Sequence, residues 1–165
     1  MACLPFDYRR VFLTMNSHCV SYLLVGGLNY FLLHKPVTTQ GIDLLIEDTT
    51  PNRSRCEQAL KELGGEWGRG DDDWGSVSAK KDGWLSDQSV FCLLTQCGPV
   101  DIFLSIPGIS NYHEASDRSV LLDLDLATSV RLISSKDLLS CQLAIPEIYR
   151  KPERIMYLRG QLDHE

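Results

Sequence analysis

No apolar run in the chain approaches the ~20 residues needed to cross a bilayer, and its first ten residues lack the basic segment, apolar stretch and small-residue cleavage site of a secretory leader. The expectation is a soluble, cytoplasmic protein with no membrane partner. Basic charge is also in short supply: 16 Lys and Arg stand against 22 Asp and Glu, a net charge of -6. That balance argues against long nucleic acid as a partner, while leaving room for a nucleotide held locally with Mg²⁺. Paired metal-ligand spacing is missing as well. Cys3, Cys19, Cys56, Cys92, Cys97 and Cys141 are scattered, mostly within apolar segments, so six free thiols are expected. Cys92 and Cys97 could face each other across a hairpin, but no second Cys or His pair completes a zinc site. His18, His34, His113 and His164 show no paired spacing, and Asp71-Asp72-Asp73 lacks the Gly and the closing Glu of a calcium loop.

What is present suits one domain over residues 1–165, because a chain of about this length buries roughly two-thirds of its unfolded surface. Tyr8, Val11, Phe12 and Met15 fall on one helical face. "CVSYLLV" (19–25) reads as a buried strand closed by Gly26-Gly27, "LNYFLLH" (28–34) as a short helix stopped by Pro36, and Ile42 to Ile46 as a second strand. A helix follows Pro51 and stops at Gly64-Gly65. The stretch from Glu66 to Gln88 is rich in Gly, Asp and Ser and reads mostly as loop with short strands. "SVFCLLT" and "GPVDIFLSI" form two strands joined by a turn at 96–99. A short helix near Tyr112, the alternating strand "SVLLDLDLA", the short strand "SVRLI", a helix capped by Ser134 or Ser135, and a terminal helix with Pro152 near its first turn complete the chain. The expected class is α/β (α+β): a small mixed sheet with helices mainly on one face.

Three short segments carry chemistry. Gly-Gly alone is usually just a turn, but its placement before a helix and an acidic strand leaves bare backbone and unpaired N–H groups for a phosphate, supplied here by Gly26, Gly27 and the amides of Leu28 and Asn29. Asp43 sits near the start of the strand in "TQGIDLLIE", and Asp101 interrupts the apolar strand in "GPVDIFLSI". Each could instead be a solvated strand-edge carboxylate; the position of Asp101 opposite another acidic strand favours a site, and the same holds for Asp43. Asp123 and Asp125 form an intact Asp-x-Asp, but strict alternation with Leu is the solvent face of an amphipathic strand. Glu47 shares the face of Asp43, yet four strand residues span about 13 Å. Glu47 and Asp48 therefore read as a solvated strand end, and Lys80-Lys81 as a solvated loop.

The runs "YLLVGGLNYFLLHKPVTTQGIDLLIE", "GPVDIFLSIPG" and "SVRLISSKDLLSCQLA" with "YRKPERIMYLRG" resemble the small prokaryotic nucleotidyltransferases of the DNA polymerase beta superfamily. The similarity is to the branch that holds minimal nucleotidyltransferases and AbiEii-type toxin enzymes of toxin-antitoxin systems. It implies binding of an NTP with Mg²⁺ (or Mn²⁺) and transfer of a nucleoside monophosphate to a hydroxyl of a protein, a tRNA or a small molecule. Asp43 would match the second carboxylate of the family's Asp-x-Asp pair and Asp101 the third, both as metal ligands.

Gly41 stands where the first carboxylate of the pair belongs. An Arg common a few residues earlier is replaced near Val37, and a Lys common in the late helix is replaced by Gln142. The departures open a second expectation from another class, a catalytically inactive, antitoxin-like interaction or regulatory module on the same scaffold.

Overall fold

The computed structural model describes residues 6–34 and 41–164. Helix α1 (Tyr8–Ser17) is capped by Asp7, whose carboxylate accepts the Arg10 N–H, and it buries Val11, Phe12 and Met15 as the helical spacing requires. Strand β1 (Tyr22–Val25) runs without a linker into α2 (Gly26–Leu33). Strand β2 (Ile42–Ile46) leads to α3 (Thr50–Glu62), with Thr49 as N-cap and Pro51 in the first turn. Two short strands, β3 (Glu66–Trp67) and β4 (Gly75–Ser76), precede the hairpin of β5 (Val90–Thr95) and β6 (Gly98–Phe103). Helix α4 (Tyr112–Arg118), the hairpin of β7 (Val120–Asp123) and β8 (Ser129–Leu132), and helices α5 (Ser135–Ala144) and α6 (Pro152–Leu162) finish the fold.

The strands make one mixed sheet in the order β4-β3-β5-β6-β2-β1-β8-β7. The central pair β2–β6 is parallel, β1–β2 antiparallel and β1–β8 parallel. Alternation along β1 and β2 sends Tyr22, Leu24, Ile42, Leu44 and Ile46 to one face, where they pack on α1 and α3, and Leu23, Val25 and Leu45 to the other, against Tyr30, Ala115, Leu138 and Leu158. The expected mixed sheet is present, and its helices are shared between the faces: α1 and α3 on one side, α4, α5 and α6 on the other. Both faces of the central strands are therefore apolar, the reason they read as continuous hydrophobic runs.

Two buried polar side chains hold this frame together. Asn52, fully buried at the start of α3, accepts the Ser21 N–H at 2.7 Å and donates to the carbonyls of Ser21 and Glu47 at 2.9 and 2.8 Å, pinning α3 to the ends of β1 and β2. Glu57 accepts the backbone N–H groups of Gly83 and Leu85, both at 3.0 Å. That clamp organises a stretch whose composition reads as loop: Trp67, Val77, Trp84 and Leu85 are buried, and Trp67 and Trp84 stack at 5.5 Å. Asp71–Asp73 is an exposed 3-10 turn, as its lack of calcium-loop spacing indicates. The five described cysteines, Cys19, Cys56, Cys92, Cys97 and Cys141, are free thiols; Cys3 lies outside the described residues. Among the described residues no helix is long and apolar enough to cross a membrane.

Candidate functional site

The hairpin register determines which side chains meet. The turn brings Thr95 opposite Gly98, so counting back along both strands sets Cys92 opposite Asp101. Parallel pairing of β6 with β2 then sets Asp101 opposite Asp43, and antiparallel pairing of β2 with β1 sets Asp43 opposite Val25. Val25, Asp43, Asp101 and Cys92 thus form one row across four strands. Directly paired residues point to the same side of a sheet. The two carboxylates consequently share the face that carries α5 and α6.

Gly26 abuts this row. Its φ of +73° turns the chain from β1 straight into α2, a conformation that only glycine adopts without strain. A Cβ at this position would lie 2.3 Å from Asp43 Oδ2, so the missing side chain is what makes room for the carboxylate. The helix begins at Gly26, two residues before the expected start at Leu28. Its unpaired N–H groups are accordingly those of Gly26, Gly27 and Leu28, whereas the Asn29 amide lies deep enough in the first turn to have an intrahelical partner. The Asn29 side chain is fully buried, donating to the carbonyls of Leu24 at 2.7 Å and Ile133 at 3.2 Å. It fastens α2 to β1 and to the end of β8.

Burial, the charge of Asp101 and a hydrogen bond to Asp101 together raise the Asp43 carboxyl to about 6. Burial also raises Asp101, which accepts hydrogen bonds from Asp43 and Cys92. Burial and the same carboxylate push the Cys92 thiol upward. Two carboxylates side by side cannot both ionise freely, so the pair holds a proton up to a pH of about 6 and, above it, carries a doubled charge that attracts a cation. Cys92 escapes a reading by residue type, although the length of the 95–98 turn was enough to count it into register. It faces Asp101 and not Cys97, which occupies the turn.

Gly41 precedes β2 by one residue, and a Cβ there would lie 3.2 Å from the Pro99 carbonyl oxygen and 3.4 Å from Pro99 Cβ. Position 41 therefore lies beside Pro99, on the strand-face that Asp101 also occupies two residues further along. Val37 lies outside the described residues. Asp125 does not act with Asp123 as a pair: its carboxylate accepts the Ala127 N–H at 2.9 Å in the turn between β7 and β8 and approaches Arg9 at 3.8 Å. Glu47 is half-buried and pairs with His113 at 2.8 Å. His34 caps the end of α2, with Nε2 3.1 Å from Ser135 Oγ.

Beside Asp43 and Gly26 opens a cavity of about 300 Å³, walled chiefly by Tyr30, Phe103, Leu138, Gln142 and Arg154. The Arg154 guanidinium lies over the Tyr30 ring, 5.2 Å from its centre. A helix start, a carboxylate pair and an apolar chamber thus adjoin at one end of the central strands.

No protein-family model matches the sequence, and no curated protein sequence matches it. The crystal structure of a "putative nucleotidyltransferase" (TM1012) from Thermotoga maritima is similar to this one with a TM-score of 0.57 at 12% identity, over 96% of this chain and 91% of that one. The chain has a nucleotidyltransferase-like fold. At that identity the likeness is one of fold, and it agrees with the mixed sheet and helix order read from the sequence.

Proposed function

We propose that the chain binds a nucleoside triphosphate with Mg²⁺ (or Mn²⁺) in the cleft formed by Gly26, Gly27, Asp43 and Asp101. The observation that carries this reading is the in-register pairing of Asp43 with Asp101 against the start of α2. The amides of Gly26, Gly27 and Leu28 receive phosphate oxygens at the positive end of a helix dipole. Asp43 and Asp101 offer hard carboxylate oxygens, the donor set that suits Mg²⁺ when phosphate oxygens and water complete its shell. The bound ion would supply charge neutralisation at the phosphates. The cavity beside Asp43 would take the nucleobase, with Tyr30 as its aromatic wall.

If transfer occurs, an acceptor hydroxyl oxygen forms a bond to the α-phosphorus, the bond from that phosphorus to the bridging oxygen breaks, and pyrophosphate leaves. The acceptor's proton passes to a carboxylate of the pair. A hydroxyl of a protein, a tRNA or a small molecule would serve. The second reading, a catalytically inactive interaction or regulatory module of antitoxin-like type, is favoured by Gly41. Among the described residues no three His, Cys, Asp or Glu side chains cluster as a metal site. Two carboxylates suit one ion better than the bridged pair of ions used for in-line transfer.

Calorimetric titration of ATP, GTP, CTP and UTP, each with and without Mg²⁺, tests the reading. The expected result is Mg²⁺-dependent binding that Asp43→Asn abolishes. Binding that is absent, or indifferent to both Mg²⁺ and Asp43, would overturn it. Binding without pyrophosphate release in the presence of candidate acceptors would favour the inactive module.

A further inference from the structure

Gln142 lines the cavity beside Asp43 and Gly26 from the last turns of α5. Its Oε1 accepts the backbone N–H of Lys151 at 2.8 Å, at the foot of α6. A backbone N–H can only donate, so the contact fixes which corner of the carboxamide is oxygen and which is NH₂. The oxygen faces α6, and the NH₂ end has no partner among the described residues. Arg154, stacked on Tyr30, likewise offers only donors. The Tyr30 hydroxyl and the Cys141 thiol rotate to suit a ligand. Apart from Asp43 at the phosphate end, the side chains of the wall hold fixed donors and no fixed acceptor.

Resting on the nucleotide reading above, we infer that Gln142 is a specificity-determining residue that selects keto bases, uracil and guanine, over cytosine and adenine. A keto base turns a carbonyl oxygen towards the Gln142 NH₂ and completes a hydrogen bond. Cytosine and adenine carry an amino group at the corresponding edge, where donor would meet donor and both would lose their water without compensation. A site built around such a polar contact rejects a mismatched partner more strongly than an apolar pocket rejects a changed shape. The Lys151 tether makes the discrimination rigid, because a free carboxamide would flip and serve either class.

The test is the ratio of affinities, measured by calorimetry on the full chain with Mg-GTP, Mg-UTP, Mg-ATP and Mg-CTP. The wild type is expected to favour GTP and UTP by about tenfold or more. Gln142→Glu keeps the shape, leaves one oxygen for the Lys151 N–H and turns the other into an acceptor. It should weaken all four nucleotides through its charge while reversing the ratio in favour of ATP and CTP. Gln142→Leu should flatten the ratio, and thermal melts of both variants establish that they are folded. Equal affinities in the wild type, or a keto preference unchanged in Gln142→Glu and Gln142→Leu, would overturn the role of Gln142 and leave nucleotide binding standing. No Mg²⁺-dependent binding of any of the four by the wild type would overturn both.

Discussion

Asp43 and Asp101 face each other across parallel strands, and the proton they share is held by Asp43 up to a pH of about 6. An unfolded Asp ionises near 3.9. Between those values the unfolded chain has released a proton that the folded chain keeps, so the pair's contribution to stability falls as pH rises through that window. Asp43→Asn removes the effect. The variant should exceed the wild type by about 1–2 kcal/mol at pH 7.5, allowing for solvent screening of a partly exposed group. Urea denaturation at several pH values should show the gap closing towards pH 4. A gap that ignores pH would mean the pair is not coupled.

Gly26→Ala should be disproportionately harmful. Its φ of +73° costs an L-residue about 1–2 kcal/mol, and the new methyl would overlap the Asp43 carboxylate. A loss of roughly 2–3 kcal/mol is expected. Gly70→Ala is the control, because a Cβ there meets nothing within 4 Å and its φ of -157° is ordinary extended backbone. Comparable losses at both positions would deny Gly26 its special place.

Gly41→Asp should strengthen Mg²⁺-dependent nucleotide binding by adding a carboxylate beside Asp43. The substituted Cβ sits 3.2 Å from the Pro99 carbonyl, so β6 must yield by a few tenths of an ångström, a strain the fold should survive. Asp43→Ala in the same chain should cancel the gain. Calorimetry on the single and double variants decides it: binding unchanged by Gly41→Asp would show that position 41 does not serve the carboxylate pair.

Glu57→Ala would leave the Gly83 and Leu85 amides without their acceptor, the Leu85 amide beneath the surface. A loss of about 2–4 kcal/mol is expected, and Glu57→Gln should lose less because one acceptor survives. Faster hydrogen exchange at Leu85 in Glu57→Ala, with the β2 amides unaffected, would localise the damage. Unchanged exchange there would rule out the clamp.

The legibility of this chain in its sequence follows a physical divide. Apolar periodicity and capping residues report local structure, and β2 at Ile42–Ile46 and the Ser134-capped α5 stand where those signals put them. Strand parity and one turn length put Cys92 opposite Asp101, whereas the common face of Asp43 and Asp101 rests on the long-range parallel pairing of β2 with β6. Local signals carry no record of partners far along the chain. Glu57 reads as another charged helix residue until residues 83–85 fold over it, and a Gly-, Asp- and Ser-rich composition conceals that Trp67, Val77 and Trp84 belong to the core. The same limit applies to α2: the turn into it depends on Gly26 taking φ +73° against Asp43, a contact between segments that no periodicity reports.

The parallel pairing of β2 with β6 has a consequence for how the molecule assembles. Between those neighbours the chain makes α3, the Glu57-clamped segment and β5, so the two carboxylates meet only when the completed β5–β6 hairpin docks on β2. Contacts so distant in sequence form late, since the intervening loop must be closed before they give any return. The docking step also brings two like charges together, and protonation relieves that repulsion. Refolding in mild acid should therefore pass this step faster than refolding at neutral pH.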